Sequence, residues 1–224
     1  MASMAYGRLA NLEHNSMPSR YGRAVSSFFG LLFTLGVGGT AQVPNTPLMV
    51  ADFEGKHLEN VDGLSLVTIT DEQLGGTSEA RLTLVEPGAD RSRAAGKITF
   101  KIADGFAMPF AGAYALPGSE GKAADLTSYK GLRFYARAKE GSYLASFGQF
   151  VGQAALFMTP FDTKPEWTLV ELPFEKFVRV TPNGAPVPNA PAFEPKGVTL
   201  IGFAVSSKLR GQFDLEVDQV QLYR

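Results

Sequence analysis

The chain has 224 residues, with 21 Lys and Arg against 22 Asp and Glu, a formal net charge of −1, two His and no Cys. The lack of Cys excludes disulfides, thiolate catalysis, Cys-based zinc sites and iron–sulfur clusters. The balanced charge offers no basic surface, so we expect no nucleic-acid partner. Apolar residues make up 45% of the chain, which is enough for one sizeable core.

The first forty residues have the layout of a secretory signal peptide. Basic residues Arg20 and Arg23 precede an apolar stretch from Phe28 to Val37, and small residues follow as far as Ala41. This stretch of about 10 residues is shorter than the roughly 20 that cross a bilayer. We therefore expect no stable membrane span in the mature chain.

The predicted organisation is a signal peptide over residues 1–41 and a single domain over residues 42–224. Met17 opens a segment of ordinary signal length and is a second candidate for the start of translation. A transit peptide and an uncleaved anchor are the alternatives. The signal predicts an exported protein, either periplasmic or extracellular.

Beyond the leader, apolar residues recur at every second position in short runs that Gly, Pro, Asn and Asp separate. Eight of these runs lie, in order, at 64–69, 80–85, 97–102, 131–138, 142–151, 166–174, 198–207 and 213–224. This spacing is typical of half-buried strands, and no long helical period occurs. About nine or ten such strands predict an all-β fold, an antiparallel jelly-roll β-sandwich.

The segment 181–195 interrupts this pattern. It contains five Pro, which cannot enter a central strand because they lack the N–H group that a ladder needs. We predict a long surface loop at the rim of a site.

Six blocks of the chain resemble the complex I intermediate-associated protein 30 family in their order and spacing. They are VADFEG (50–55), TDEQLGGTSEARL (70–82), PFAGAYALPG (109–118), DLTSYKGLRFYARA (125–138), EWTLVELPFEKF (166–177) and GQFDLEVDQVQLY (211–223). The resemblance implies a galactose-binding-like jelly roll. The namesake members of the family help to assemble mitochondrial complex I as chaperone-like factors, so an assembly role is an analogy that the resemblance offers.

Catalytic motifs are scarce. His57 is the one His beyond the leader, and no nucleophile elbow lies near a Ser, so a hydrolytic triad is not expected. Three carboxylate pairs remain as candidates for glycoside hydrolysis: Asp71 with Glu72, Asp52 with Glu54, and Asp214 with Glu216. Such pairs arise by chance in an acidic sandwich, so we predict no catalytic residues and a non-enzymatic protein.

Acidic residues on the first and last strands suggest a structural calcium ion. By period two, Asp52 shares a face with Glu54, and Asp218 shares one with the other acids of its strand. In the expected topology these strands are neighbours, and Ca²⁺ prefers such oxygen ligands. We predict Asp52, Glu54 and Asp218 as ligands, with Lys or Arg partners or open water as alternatives that would relieve the same repulsion.

Aromatic residues with polar neighbours supply the ligand-binding candidates. Tyr135 lies between Arg133 and Arg137, opposite the apolar face of its strand, as in a sugar-stacking surface. Residues of the following strand are predicted to extend this surface: Tyr143, Phe147, Gln149 and Phe150. Trp167 is assigned to the core, because large aromatic side chains are usually buried.

These observations predict a non-enzymatic, exported binding module that engages a carbohydrate or a protein partner through a sheet face and its loops. The alternative is an assembly or chaperone-like factor for a protein complex. A hydrolase that uses a carboxylate pair is the third hypothesis.

Overall fold

A computed structural model describes residues 47–55, 64, 66–117, 123–139, 141–150, 154–182 and 184–224. The segment assigned to a signal peptide and His57 lie outside these ranges. Within them the regular structure is strand, with short 3-10 turns and no α-helix, and no helix is long and apolar enough to cross a membrane.

The described part of the chain forms fourteen strands, more than the nine or ten predicted, because several runs divide at turns. They are β1 (Leu48–Ala51), β2 (Leu66–Thr70), β3 (Glu79–Val85), β4 (Ala95–Ile102), β5 (Ala111–Ala115), β6 (Ala124–Asp125), β7 (Gly131–Arg137), β8 (Gly141–Gln149), β9 (Ala155–Thr163), β10 (Thr168–Pro173), β11 (Val178–Val180), β12 (Lys196–Val198), β13 (Leu200–Ala204) and β14 (Gly211–Tyr223). Two 3-10 helices, Asp71–Leu74 and Phe174–Lys176, follow β2 and β10.

The strands form two antiparallel six-stranded sheets. Sheet 1 has the order β10-β7-β14-β4-β3, with β1 paired to β14, and sheet 2 has the order β11-β9-β8-β13-β5-β2. The short strands β6 and β12 form a separate antiparallel pair. The fold is therefore the antiparallel jelly-roll sandwich that the strand pattern predicts, and its first and last strands are neighbours as expected.

Aromatic side chains fill the space between the sheets. Phe134 of sheet 1 meets two side chains of sheet 2 edge to face, with ring centroids 4.8 Å from Phe203 and 5.0 Å from Phe161. Phe193 belongs to the Pro-rich segment, yet it is buried and its ring stacks on Phe147 at 4.9 Å. The loop predicted to lie on the surface therefore also anchors itself in the core, because burying a Phe offsets the cost of ordering the loop.

Strand β7 shows how the alternation divides core from surface. Leu132, Phe134 and Ala136 are at most 1% exposed. The side chains between them, Arg133, Tyr135 and Arg137, point to the outer face of sheet 1 and are partly exposed. The predicted division of this strand is confirmed.

Asp71 organises the turn that contains Gly75 and Gly76. Its side chain is fully buried and accepts hydrogen bonds from the Ser78 amide (2.8 Å), the Ser78 hydroxyl (2.7 Å) and the Phe110 amide (3.1 Å). A Cβ on Gly76 would collide with this carboxylate, and Gly75 has a φ of 93°. The turn therefore requires both glycines. A side chain at Gly76 would collide with Asp71, and the left-handed backbone at Gly75 is unfavourable for other residues.

Replacing Asp71 with Ala should lower the free energy of unfolding by about 3 kcal/mol or more, because three buried donors lose their acceptor. Urea unfolding measures the loss. The matched control is Glu72→Ala, which removes an exposed neighbouring carboxylate and should change stability by less than about 0.5 kcal/mol. Equal effects of the two substitutions would contradict the structural role of Asp71.

Strand β14 contains a β-bulge at Asp218. The register with β7 shifts between Asp218 and Gln221, and Gln219 has a φ of 47°. The bulge turns Asp218 under the segment 89–94, where the amides of Ala89 and Gln219 each donate a hydrogen bond of 2.8 Å to its carboxylate. Bulges re-aim a side chain in this way. Asp218 is fully buried as a result.

The pKa of Asp218 is raised to about 6. Burial is the main cause and the nearby Glu54 charge adds to it, while amide and hydroxyl donors act in the opposite direction. In the unfolded chain an Asp titrates near pH 3.9. Between these values the folded protein binds the proton more tightly, so stability falls as the pH rises from about 4 to about 6.

Asp218→Asn removes this titration. The free energy of unfolding of the variant, minus that of the native chain, should therefore increase by about 2–3 kcal/mol between pH 4 and pH 7. Denaturant unfolding at a series of pH values measures the difference. The control is Asp125→Asn, which replaces an exposed carboxylate and should show no such trend above pH 5. A flat difference for Asp218→Asn would refute the assignment.

Candidate functional site

Arg137, at the end of β7, is held on the outer face of sheet 1 by two contacts. Its Nε donates a 2.6 Å hydrogen bond to Glu216 Oε2 on β14. The centre of its guanidinium lies 4.5 Å from the centroid of the Trp167 ring. A guanidinium stacks on an aromatic ring while it pairs with a carboxylate in its own plane, so these three side chains form a preorganised unit.

A second ion pair lies beside this unit. Lys97 Nζ on β4 is 3.0 Å from Asp214 Oδ2, and the Thr99 hydroxyl donates a 2.7 Å hydrogen bond to Asp214 Oδ1. Partial burial raises the pKa of Asp214, but the hydrogen bonds from Thr99 and Lys97 and the charges of Lys97 and Lys139 outweigh it and lower the pKa below its ordinary value. The carboxylate therefore stays ionised and acts as an acceptor.

These pairs line an open cleft of about 590 Å³ at one end of the sandwich. Its walls come from β4, the β7–β8 turn and the beginning of β14. They carry hydroxyl, amide, ammonium, guanidinium and carboxylate groups together with a few apolar surfaces: Lys97, Arg137, Lys139, Ser142, Gln212, Asp214, Glu216, Tyr143, Pro165 and Leu209. The mixture suits a polar ligand that also has apolar faces.

A neighbouring cleft of about 710 Å³ shares Gly141 and Pro165 with the first. It continues past Asp162, Lys164 and Thr168. Because the two clefts meet at shared residues, we treat them as one binding groove. Trp167 lies in the chain between Pro165 and Thr168, which line the second cleft, and it borders the first cleft through its stack on Arg137.

Trp167 is not a core residue, contrary to the sequence prediction. It is partly exposed and stacks on Arg137, because β10 begins at Thr168 opposite Ala136 and the preceding residue therefore faces Arg137 on the outer side. Its indole Nε1 is buried and has no hydrogen-bond partner in the described part of the chain. Trp167 shares a period-two face with Leu169 and the charged Glu171, and this alternation is the sequence signal for the outer face.

Of the predicted ligand-binding residues, three lie together on the outer face of sheet 1. Tyr135 is partly exposed and stands opposite Leu169, which is 46% exposed. Arg133 Nη1 lies 3.6 Å from Glu171 Oε1. Tyr135 thus continues the surface that Arg137 begins, along the same strand.

Tyr143 and Gln149 do not extend this surface, contrary to the prediction. They lie on β8, and β7 and β8 belong to opposite sheets. Tyr143 is 5% exposed and donates a 2.6 Å hydrogen bond to the Asp214 carbonyl, and burial and Asp214 raise its pKa. The Gln149 side chain donates to the carbonyls of Glu194 and Lys196, both at 2.7 Å, and so supports the Pro-rich loop.

Phe147 and Phe150 do not belong to this surface either. Phe147 is fully buried in the aromatic core. Phe150 follows β8 and packs over Gly148, where a Cβ would approach its ring to 2.5 Å. The prediction treated consecutive strands as neighbours in one sheet, whereas the chain crosses the sandwich between β7 and β8.

The predicted calcium ligands Asp52, Glu54 and Asp218 form no cluster of three metal-binding side chains within the described residues. β1 ends at Ala51 and Phe53 has a φ of 57°, so Asp52 and Glu54 do not share a strand face as predicted.

Protein donors surround these carboxylates instead. Glu54 accepts hydrogen bonds from the Ser92 hydroxyl (2.5 Å) and the Arg93 amide (3.0 Å). The Arg93 guanidinium donates to the carbonyls of Glu54 and Gly55, each at 2.7 Å. Arg93, 3.9 Å from Glu54, relieves part of the acidic charge, as one of the alternatives to calcium predicts. Calcium binding itself stays a prediction.

Two of the three carboxylate pairs suggested for hydrolysis, Asp214 with Glu216 and Asp71 with Glu72, do not match the arrangement of a glycosidase. A glycosidase needs one carboxyl whose raised pKa keeps it protonated as an acid, beside a second that is ionised. In the groove, Asp214 has a lowered pKa and Glu216 is held by Arg137. Asp71 is fully buried under Ser78, out of reach of a substrate. Asp218 has a raised pKa but is fully buried outside the groove.

Comparison with solved structures finds carbohydrate-binding modules of the β-sandwich type. A family 11 module of a cellulosomal cellulase of Clostridium thermocellum is similar with a TM-score of 0.58 at 14% identity, over 80% of this chain and 94% of that chain. A family 30 module of a cellulosomal cellulase of the same organism has a TM-score of 0.53 at 12% identity, over 79% and 96%. At this identity the likeness concerns the fold.

Comparison with curated protein sequences finds no match. The family model described as complex I intermediate-associated protein 30 matches residues 51–217, which include nearly every strand of both sheets. The chain therefore belongs to the complex I intermediate-associated protein 30 family.

Proposed function

We propose that this protein is a non-enzymatic carbohydrate-binding module whose ligand lies in the groove beside Arg137 and Trp167. The observation that carries the proposal is the stack of Trp167, the single Trp of the chain, on Arg137, a residue that lines the first cleft. We also propose that the protein acts after export, as its N-terminal sequence suggests.

The chemistry of the groove supports a sugar ligand. Pyranose rings have apolar faces that pack on aromatic and aliphatic surfaces, and hydroxyls that need donors and acceptors at their edges. Trp167, Tyr135 and Leu169 offer the first kind of surface on the outer face of sheet 1, next to the groove. The carboxylates, Gln212 and Ser142 offer the second, and the ion pairs hold the carboxylates in place before a ligand arrives.

The open shape of the groove supports a polymer over a small molecule. Two open clefts with volumes of about 590 and 710 Å³ adjoin at Gly141 and Pro165, and together they offer a longer surface than either cleft alone. The fold is consistent with this use, since one structure with a TM-score of 0.58 is a family 11 module of Clostridium thermocellum in complex with a β-1,3-1,4-mixed-linked tetrasaccharide.

Replacing Trp167 with Ala should weaken binding of the best soluble polysaccharide by about tenfold or more, because an aromatic stacking surface contributes on the order of 1–2 kcal/mol. Affinity electrophoresis in gels that contain neutral or acidic polysaccharides identifies the ligand, and isothermal titration calorimetry measures the affinity. Trp167→Phe should retain most of the binding because the ring face remains.

The matched control is Lys101→Ala. It removes an ion pair with Glu79 on the same face of sheet 1, where the distance is 2.6 Å, but lies outside the groove. It should leave the affinity unchanged. Full binding by Trp167→Ala, with a native circular dichroism spectrum, would reject the groove as the site.

A protein partner is the second candidate, and one surface favours it. A row of side chains crosses the outer face of sheet 2 without a charged group: Val178, Met158, Ser146, Gly202, Tyr114 and Val67. Val178 and Val67, at its two ends, are 48% and 42% exposed. Ser146 and Tyr114 between them are buried, so the exposed apolar side chains are those at the two ends. Exposed apolar side chains occur at protein interfaces, and the family's namesake associates with an intermediate of complex I, as its name states.

Cross-linking in the native cell envelope, followed by purification, tests this second candidate. A stoichiometric partner that the native protein retains and the Val67→Glu, Val178→Glu double variant loses would support it. Loss of the same partner from Trp167→Ala alone would instead assign the contact to the groove.

A further inference from the structure

Two exposed lysines lie on adjoining turns, near the residues where the two clefts meet. Lys139 lies in the β7–β8 turn and lines the first cleft, and Lys164 lies in the β9–β10 turn and lines the second. The Ala138 amide donates a 2.9 Å hydrogen bond to the Lys164 carbonyl, which joins the two turns directly.

The buried hydroxyl of Thr163 strengthens this junction. Thr163 is 3% exposed, and its Oγ1 lies 3.2 Å from the carbonyls of both Lys139 and Gly141. These hydrogen bonds therefore fix the β7–β8 turn against the β9–β10 turn. The two lysine side chains start from neighbouring backbone segments.

These lysines differ from the other cations of the groove in their charge balance. Lys97 and Arg137 each pair with a carboxylate, at 3.0 and 2.6 Å. No carboxylate in the described ranges lies within 4.0 Å of the ammonium group of Lys139 or Lys164. Among the residues that the structure describes, four cations line the groove against three carboxylates, although the whole chain has a net charge of −1. Because Lys97 and Arg137 are paired, this excess falls on Lys139 and Lys164.

We infer that the groove selects an acidic polysaccharide, and that a carboxylate of the ligand lies at the junction between Lys139 and Lys164. This inference rests on the proposed function and names its substrate class. The sugar carboxylate completes the charge balance that the protein leaves open, and ammonium groups bind carboxylates as mobile point charges that adapt to the position of the sugar.

The experiment compares polygalacturonate with its methyl-esterified form, in which the same backbone carries masked carboxylates, and with neutral mixed-linked β-glucan. Polygalacturonate should bind most tightly, and its affinity should fall as salt is added because the contact is partly exposed to solvent. The Lys139→Gln, Lys164→Gln double variant should lose about tenfold in affinity for polygalacturonate and nothing for the other two polymers.

The control is Lys176→Gln, which neutralises an exposed lysine at the opposite end of β10 and should leave all affinities unchanged. If neutral β-glucan or the ester binds at least as tightly as polygalacturonate and Trp167→Ala abolishes that binding, the inference is wrong while the proposed function stands. If none of the polymers binds, the proposed function fails and the inference fails with it.

Discussion

The structure depends on strand β14, which must satisfy three neighbours at once. It pairs with β7 on one side and with β4 and then β1 on the other, so it forms the centre of sheet 1. Its inner side chains Leu215, Val217 and Leu222 are fully buried against sheet 2. The alternation then places Asp214 and Glu216 on the outer face, where they hold Lys97 and Arg137. One strand therefore orders both the core and the groove.

Cohesion without disulfides follows from the same arrangement. The chain has no Cys, and edge-to-face Phe contacts across the sandwich, such as Phe134 with Phe203, join the two sheets. Such pairs add to the free energy that burial of the rings already supplies. The Pro-rich loop joins this core through Phe193. Packing of Phe side chains thus holds the two sheets and the Pro-rich loop together without disulfides. The open end of the sandwich remains available for a ligand.

The sequence predicts the fold well because alternation is local. The two faces of β7 and the pairing of the first strand with the last are confirmed. The site is predicted less well, because it depends on which strands are neighbours in space. Tyr143 follows Tyr135 closely in sequence but lies in the opposite sheet. The residue type assigns Trp167 to the core. Alternation with Glu171 indicates the outer face, but the contact with Arg137 follows only from the β10–β7 register. The ion pairs of Arg93, Lys97 and Arg137 with acidic residues likewise cannot be predicted from the sequence, because their partners are distant in the chain.

The central claim is that a glycan lies against Trp167, and the chain offers a direct probe because it contains a single Trp. Intrinsic fluorescence of the native protein, titrated with the polysaccharide identified by affinity electrophoresis, reports on that ring alone. The account predicts a saturable change in emission whose dissociation constant equals the calorimetric value, since a sugar that covers the indole removes water from it. Calorimetric binding at full stoichiometry with no change in Trp emission would contradict the account.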